Sequence, residues 1–203
     1  MVINRSLSEK SVDADPFIQF DKWYKEHLSS GIAIPESFSL ATASSDGQVS
    51  VRTVLLKEYS NDGFIFFTNY GSKKGLQISA NPKVAMLFYW PETGRQVRIE
   101  GIAEKVTEEY SDSYFKTRPR ESQLSAWASN QSTVIPDRFY LEKKYAYYRE
   151  KFSGSNVKRP LYWGGFRIIP AWFEFWNNDE YRMHDRISYK RNNQTWVIER
   201  LAP

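Results

Sequence analysis

The stretch Ser37–Lys57, SFSLATASSDGQVSVRTVLLK, decides the fold of this chain. Two runs of β-forming residues, Ser37–Ser44 and Gln48–Lys57, stand on either side of Ser45–Gly47, which reads SDG. An Asp-Gly step between two such runs is typical of a tight hairpin turn. The stretch therefore predicts two antiparallel strands that follow each other directly.

The same pattern continues toward the C-terminus, where Asn61–Gly63 and Pro91–Gly94 are further turn signals. Short strands joined by tight turns favour an antiparallel barrel or sandwich, so we predict a mainly β fold with helices. The further predicted strands are Phe64–Thr68, Lys83–Trp90, Arg95–Val106, Gly165–Ile169, Trp172–Trp176, Tyr181–Lys190 and Thr195–Leu201.

Helical patterns interrupt the strands. Asp15 is the expected N-cap and Pro16 the first residue of a helix that Gly31 closes. Three more helices are predicted over Thr107–Thr117, Pro119–Ser129 and Pro136–Phe152. We expect a mobile polar tail over residues 1–14 and a single β-rich domain over residues 15–203.

Composition narrows the class of protein. The chain has 203 residues, 41% of them hydrophobic and 26% charged, which fits one soluble globular domain. The net charge of +4 comes without a Lys/Arg run, so small anionic ligands explain it as well as nucleic acid does. Cysteine is absent, which excludes disulfides and cysteine nucleophiles. With no signal peptide or membrane-spanning stretch in view, we expect a cytoplasmic protein without nucleic-acid or membrane partners.

The segment Tyr181–Arg186, YRMHDR, places cationic groups close together. Read as a strand, it puts Arg182, His184 and Arg186 on one face, where they repel each other unless an anion or a ring lies against them. The run Phe173–Trp176 upstream is rich in rings. This pattern predicts a site for a flat, phosphorylated ligand, and the alternative is a solvated edge strand.

Two loops have the composition of phosphate cradles. Thr68–Lys74 passes from a strand into a helix whose first turn holds Lys73 and Lys74, and a phosphate there would be bound by Ser72 and backbone N–H groups. The alternative is a pair of solvated lysines on a surface turn. No Walker-type glycine pattern is present, which argues against a nucleoside triphosphate.

The second loop is Tyr114–Ser122, where Pro119 forces a corner between two helices. Tyr114, Arg118 and Ser122 would converge there on an anion. The alternative is a helix–helix corner whose arginine caps carbonyl groups.

Other candidates are weaker. Arg52–Lys57 has a cation at each end, but strict alternation places them on opposite faces unless the strand bulges. Gln96, Gln131 and Ser132 could bind the polar edge of a heterocycle. The sequence holds neither a nucleophile elbow nor a zinc-protease motif, and two histidines without cysteine make a metal site improbable. We therefore expect a bound cofactor to carry the chemistry.

The chain resembles the pyridoxine (pyridoxamine) 5′-phosphate oxidase family from about Asp15 to Pro203. Six blocks in the same order carry the resemblance, far beyond any single motif. They are Arg52–Lys57 (RTVLLK), Phe67–Lys74 (FTNYGSKK), Thr117–Gln123 (TRPRESQ), Trp163–Arg167 (WGGFR), Arg182–Arg186 (RMHDR) and Glu199–Pro203 (ERLAP).

The resemblance implies an FMN-binding split β-barrel of Greek-key type, homodimeric, with FMN at the interface and a C-terminal dimerisation and substrate segment. It also implies oxidation of pyridoxine or pyridoxamine 5′-phosphate to pyridoxal 5′-phosphate in vitamin B6 salvage. A hydride equivalent would pass from C4′ to flavin N5, and O2 would be reduced to hydrogen peroxide, with ammonia released from the amine substrate.

Site residues follow from the same resemblance, with Arg182 and His184 as the catalytic pair and no metal. The implied cofactor-binding residues are Arg52, Thr53, Val54, Leu55, Leu56, Lys57, Phe67, Thr68, Ser72, Lys73, Lys74, Gln96, Gln131, Ser132, Trp176 and Arg186. The implied substrate-binding residues are Lys57, Tyr114, Arg118, Ser122, Arg182, Met183 and His184.

Three features depart from the family pattern. Lys73 stands where Arg is frequent, Phe67 stands where Tyr is common, and the N-terminal tail lacks an Arg/Tyr-rich lid stretch. The alternatives are a split-barrel flavin oxidase for another substrate, a non-catalytic flavin-binding protein and a basic nucleic-acid-binding module.

Overall fold

The structure is a computed structural model that describes residues 6–203. It contains a sheet with five helices packed around it and confirms the predicted mainly β architecture. The strands are β1 Ser37–Ala43, β2 Val49–Leu55, β3 Glu58–Ser60, β4 Gly63–Asn69, β5 Lys83–Trp90, β6 Arg95–Lys105, β7 Trp163–Asn177, β8 Asp185–Asn192 and β9 Thr195–Arg200. The helices are α1 Pro16–Leu28, α2 Lys73–Ala80, α3 Glu108–Thr117, α4 Arg120–Ala128 and α5 Arg138–Lys151, with a 3-10 turn at Glu180–Arg182.

All strand pairs are antiparallel, in the order β2-β1-β5-β6-β7-β4-β3, with β8 and β9 added beside β7. Strand β7 is the hub of the sheet. It pairs with β6 over most of its length, while its first half also pairs with β4 and its second half with β8. Strand β7 thus connects β4 and β6 with the C-terminal strands β8 and β9.

The long β7 replaces the two strands predicted on either side of Pro170. A proline inside a sheet is tolerated at a bulge, because it has no N–H to donate to the ladder. The β6–β7 pairing shifts register between Glu100 and Gly101, opposite Pro170. A Cβ on Gly101 would lie 2.2 Å from the carbonyl oxygen of Ile169, so this close approach requires glycine.

Aromatic rings fill the main core. Helix α1 begins as predicted, since the Asp15 side chain accepts a hydrogen bond from the Phe17 N–H at 2.8 Å. Phe20 is fully buried, with its ring centre 4.9 Å from that of Phe64 and 5.1 Å from that of Phe88. A smaller cluster of Phe115, Leu124, Val157 and Trp163 fixes α3 and α4 over the start of β7.

The predicted strand Tyr181–Lys190 is wrong over its first four residues, since β8 begins only at Asp185. Tyr181 and Arg182 have φ values of 54° and 63°, left-handed conformations that no strand accommodates. Asp179 caps the turn, its side chain accepting from the Glu180 N–H at 2.7 Å. Arg182 and His184 therefore do not share a strand face with Arg186.

The expected tail is partly docked. Residues 1–5 lie outside the described residues, but Leu7 is buried and its N–H donates to Asp185 Oδ2 at 2.8 Å. Arg200 donates to the Leu7 carbonyl oxygen at 2.8 Å from the other side. Residues 6–12 thus lie against the C-terminal strands, and a domain boundary at residue 15 stays a prediction.

Residues 6–203 contain neither a membrane-spanning helix nor a cluster of metal-binding side chains. No helix there is long and apolar enough to cross a bilayer. That part of the chain also holds no group of three or more acidic or histidine side chains arranged to bind a metal ion.

Candidate active site

A cavity of about 1000 Å³ opens between β2, β4, the start of α2 and the α3–α4 corner. Five cations line it and, among the residues that the structure describes, no carboxylate does. The lining includes these residues singled out in the sequence: Arg52, Thr53, Val54, Leu55, Lys57, Phe67, Thr68, Lys73, Lys74, Tyr114, Arg118, Ser122, Gln131 and Ser132. Lys57 is ion-paired at 3.5 Å with Glu36, which lies outside the lining. The lining still carries an excess of positive charge, and such an excess in a concave site favours an anionic ligand.

Lys74 is the most deeply placed of these cations, only 9% exposed. Its ammonium donates to neutral oxygens, to Gln131 Oε1 at 2.8 Å, Thr68 Oγ1 at 3.1 Å and Ser72 Oγ at 3.2 Å. Burial, and then the charge of Arg52, lower the pKa of Lys74 to about 8. A charge held without a counter-ion within residues 6–203 is what an incoming phosphate would neutralise.

Arg52 is fixed from beneath by the sheet. Its Nη1 donates to the Leu40 carbonyl oxygen at 3.0 Å and to Thr42 Oγ1 at 2.6 Å, and Thr42 donates in turn to Gln77 Oε1 at 2.6 Å. Burial lowers the pKa of the Arg52 guanidinium. Gln77 belongs to this support and could not be picked from the sequence, because its helix shows no motif.

The change of strand partner after Leu55 brings both ends of the RTVLLK block to one cavity. The Leu56 N–H still donates to the Glu36 carbonyl oxygen, whereas the Lys57 N–H donates to that of Ile65, both at 2.8 Å. The chain thus passes from the β1 side to β4, which resolves the alternation problem without a bulge. Leu56 itself is buried in the core and does not line the cavity.

Ser72 does not line the cavity either. It is fully buried as the N-cap of α2, where its hydroxyl donates to the Asn69 carbonyl oxygen at 2.7 Å and accepts from the Gly75 N–H at 3.4 Å. Gly75 is required by the same turn, because a Cβ there would lie 2.3 Å from the Tyr70 carbonyl oxygen. Ser72 therefore shapes the start of the helix, and Lys73 and Lys74 reach the cavity.

The α3–α4 corner supplies the second cationic group. Arg118 lies over Trp163, its guanidinium carbon 4.5 Å from the ring centre, and burial lowers its pKa. Within the described residues its Nη1 has no hydrogen-bond partner. Carbonyl capping, the alternative role for the arginine of this corner, is filled by Arg120. It donates to the Ser155 and Phe152 carbonyl oxygens at 2.9 Å and 2.6 Å.

Rings form the wall beside Arg118. Tyr114 stacks on Phe67 with 3.8 Å between ring centres and 10° between planes. The Trp163 ring is nearly parallel to both, with its centre 5.5 Å from that of Phe67 and 6.3 Å from that of Tyr114. Burial raises the pKa of the Tyr114 hydroxyl, so it stays a neutral donor. Phe67, which belongs to this wall, also lines the cavity.

A second set of predicted residues lies elsewhere. Gln96, Trp176 and Arg186 are direct neighbours across β6, β7 and β8, and the His184 ring centre lies 4.5 Å from that of Trp176. We call these four residues the ring row. Among the described residues lining the cavity, none belongs to the ring row.

Arg182 and Met183 flank the ring row on the exposed turn before β8. Met183 is 67% exposed. The Asp179 N–H donates to His184 Nδ1 at 3.1 Å, which assigns the proton of a neutral His184 ring to Nε2.

Three contributors escaped the sequence reasoning. Asn69 lines the cavity and ties its loop to the end of α4, since its Nδ2 donates to the Ser129 carbonyl oxygen at 3.3 Å. Trp163 stands out in the sequence only as the first residue of the block WGGFR. Glu174 lies next to the ring row, two residues before Trp176 on the same face of β7, and an acidic residue inside the aromatic run FEFW was the available signal.

The unliganded protein is expected to gain stability and lose phosphate affinity as pH rises above about 8. The pKa of Lys74 lies below its ordinary 10.5, so in that interval the unfolded chain binds the extra proton and the free energy of unfolding rises with pH. The neutral amine meanwhile attracts phosphate less. Inorganic-phosphate affinity and denaturant unfolding measured across this range test both effects.

Lys74→Arg is the control for the pH dependence, because a guanidinium stays charged throughout and should flatten the affinity curve. A phosphate affinity of the parent protein that is unchanged between about pH 7 and about pH 9 would contradict the assigned role of Lys74.

Comparison with known proteins follows the same division of the chain. The family profile described as pyridoxamine 5′-phosphate oxidase matches residues 24–152, which supply the cavity's β2, β4, α2 and α3–α4 residues. A second profile, pyridoxine 5′-phosphate oxidase C-terminal dimerisation region, matches residues 163–203, which include three of the four ring-row residues.

Several curated relatives are similar over nearly the whole chain. A pyridoxine/pyridoxamine 5′-phosphate oxidase of Rubrobacter xylanophilus is 50% identical over 97% of this chain and 91% of the relative. A protein of the same description from Cupriavidus taiwanensis is 49% identical over 98% of this chain and 93% of the relative.

Solved structures show the same fold. PhzG from Burkholderia lata, crystallised with tetrahydrophenazine-1-carboxylic acid, superposes with a TM-score of 0.92 at 28% identity, covering 100% of both chains. An FMN-binding protein of Nostoc punctiforme related to pyridoxamine 5′-phosphate oxidase gives 0.71 at 18% identity, covering 98% of this chain and 100% of that one. The likeness confirms the predicted split β-barrel.

Proposed function

The chain belongs to the pyridoxamine 5′-phosphate oxidase family, and from this premise we propose that it oxidises pyridoxine 5′-phosphate or pyridoxamine 5′-phosphate to pyridoxal 5′-phosphate with FMN as cofactor. The proposal includes O2 as acceptor, hydrogen peroxide as product with ammonia from the amine, a role in vitamin B6 salvage and a cytoplasmic location. Relatives at about 50% identity support the oxidase activity.

The single observation that carries the proposal is a cavity whose described lining holds no carboxylate and has two cationic groups on different elements. The first, the α2 cluster, comprises Arg52, Thr68, Lys73 and Lys74. The second, the corner cluster, comprises Lys57, Tyr114, Arg118 and Ser122. A cofactor phosphate and a substrate phosphate, one for each cluster, account for both groups.

FMN fits the residues present. The α2 cluster would neutralise its phosphate, and Gln131, which already accepts from Lys74 at 2.8 Å, would contribute with Ser132 to the same side. Bound FMN would supply two-electron acceptor chemistry. The chain contains no cysteine, and its described residues include no group of side chains arranged to bind a metal ion. The chain's own task is to hold two rings and two phosphates in place.

Substrate binding would use the corner cluster and the turn before β8. Arg118 brings an unpaired Nη1 to a phosphate, and the neutral Tyr114 hydroxyl can donate to it. Arg182 would lie on the pyridine ring, since a planar guanidinium stacks well on rings. His184, protonated on Nε2, would donate to the ring hydroxyl and would not act as a nucleophile.

A homodimer would bring the cavity and the ring row together. Within one chain the described lining of the cavity excludes the ring row, and the ring row lies mostly in the segment that matches the dimerisation region. Apolar side chains also remain uncovered on the cavity's own strand, with Val49 and Val51 both 69% exposed. We place FMN between the cavity of one subunit and the ring row of the other.

The purified protein should be yellow, and its flavin absorption should bleach when pyridoxine 5′-phosphate is added without air. Admitting air should restore the colour and yield pyridoxal 5′-phosphate and hydrogen peroxide. A colourless protein that takes up no FMN would refute the proposal, and a yellow protein whose flavin the substrate never reduces would leave only flavin binding.

A second candidate is oxidation of a reduced phenazine carboxylic acid. It is favoured by the TM-score of 0.92 to PhzG, which was crystallised with such a molecule. The corner cluster argues for the phosphorylated substrate, because it offers two cations, Lys57 and Arg118, beside a ring wall, and the Arg118 Nη1 has no hydrogen-bond partner among the described residues. Adding the two compounds separately to samples of one preparation decides between them, since only the true substrate should bleach the flavin absorption at micromolar concentration.

A further inference from the structure

Glu174 is a buried carboxylate shared by two arginines. It is 1% exposed and lies near the C-terminal end of β7, where it pairs with Arg98 on β6. Oε1 accepts from Arg186 Nε at 2.6 Å and Oε2 accepts from Arg98 Nη1 at 2.8 Å. Each oxygen therefore has its own cationic donor, which satisfies the charge so far from water.

Arg186 is held on two sides by these contacts. Besides its bond to Glu174, its Nη1 donates to the Ala202 carbonyl oxygen at 2.8 Å, and the Leu201 N–H donates to the Arg186 carbonyl oxygen at 2.9 Å. The side chain of Arg186 is 26% exposed, so its remaining surface stays free to meet a ligand. A long arginine side chain held in this way loses less entropy on binding.

We propose that Glu174 is a positioning residue for flavin binding. It fixes the Arg186 guanidinium beside Trp176, so that the ring row is already ordered before FMN binds. The inference rests on the proposed function, in which Arg186 contacts the flavin. Glu174 itself would touch neither flavin nor substrate, since it is 1% exposed and both of its oxygens accept from arginines.

The geometry separates this role from plain stabilisation. Glu174 and Arg186 are diagonal neighbours, because Arg186 pairs with Trp176 and Glu174 pairs with Ser188 across β7 and β8. The carboxylate thus reaches along the sheet to Nε, and with the Ala202 carbonyl oxygen on Nη1 it restrains the planar guanidinium at two of its nitrogens. Its bond to Arg98 contributes to the fold but does not orient the ring row.

Glu174→Gln tests the proposal through the dissociation constant of FMN, measured by flavin fluorescence on the apo-protein. Losing the charge-assisted bond should weaken FMN binding about tenfold or more. In an Arg186→Ala background the same change should alter the constant less than about twofold, because its effect passes through Arg186. If Glu174→Gln does not fold, Glu174→Asp, which keeps the charge but shortens the reach, replaces it.

Arg98→Gln is the matched control, since it removes the other partner of the same carboxylate and leaves the bond to Arg186. Positioning predicts nearly unchanged FMN affinity for Arg98→Gln, whereas a general structural role predicts equal losses for both variants. Equal losses, or a Glu174→Gln effect that persists in full without Arg186, would overturn the inference. A parent protein that binds no FMN would instead refute the proposed function.

Discussion

Replacing Arg182 by alanine is expected to remove most turnover while FMN stays bound. Arg182 lies outside the cavity on the left-handed turn before β8, and in the proposed dimer it would clamp the substrate ring and not the flavin. Misplacing one reacting ring by about 1 Å can cost roughly a hundredfold in rate, so kcat/KM should fall roughly a hundred- to a thousandfold. Steady-state kinetics with the flavin content of the same samples measure both quantities.

Arg191→Ala is the control for this prediction, because Arg191 is an exposed arginine near the C-terminal end of β8, over Trp196 at 5.7 Å. It should leave turnover unchanged. Release of flavin by Arg182→Ala, with turnover restored by excess FMN, would show that Arg182 serves the cofactor and that the assignment of roles around the ring row is wrong.

Replacing Arg118 by methionine is expected to raise the KM for pyridoxine 5′-phosphate roughly a hundredfold, with FMN affinity nearly unchanged. Arg118 is a half-buried cation whose Nη1 is buried and lacks a partner among the described residues. An unsatisfied buried donor costs about 1–3 kcal/mol. The free energy of unfolding of the unliganded variant should therefore equal or exceed that of its parent. A gain in stability with a loss of substrate affinity marks a residue kept for binding.

Arg120→Met is the matched control two positions further on. Arg120 donates to backbone carbonyl groups at the end of α5 and does not line the cavity. It should lower the free energy of unfolding while leaving KM unchanged. An Arg118→Met variant that is less stable than its parent, with unaltered KM, would show that the corner is structural.

Elements whose signals are local could be predicted from the sequence. The hairpin of Ser37–Lys57, the Asp15 cap and the α3–α4 corner at Pro119 depend on neighbouring residues alone, and all three are present. The left-handed Tyr181 and Arg182 gave no signal, since neither is glycine, and the predicted strand failed there. Tertiary context decided that turn.

The candidate site was predictable in membership but not in arrangement. Residue type and the family resemblance selected most of the cavity lining, yet nothing in the sequence showed that Ser72 would be consumed as a helix cap. The split between cavity and ring row depends on long-range pairing of β6, β7 and β8. Glu174 was missed because its partners lie 76 and 12 positions away.

Mixed dimers test most directly whether each site combines the cavity of one subunit with the ring row of the other. Arg118→Met and Arg182→Ala chains, each nearly inactive alone, are co-expressed and assayed at low substrate concentration. If sites form across subunits, a mixed dimer carries one doubly altered site and one intact site, so random pairing should restore about a quarter of the parent activity. Activity no higher than that of the separate variants would show that each site is built within one chain.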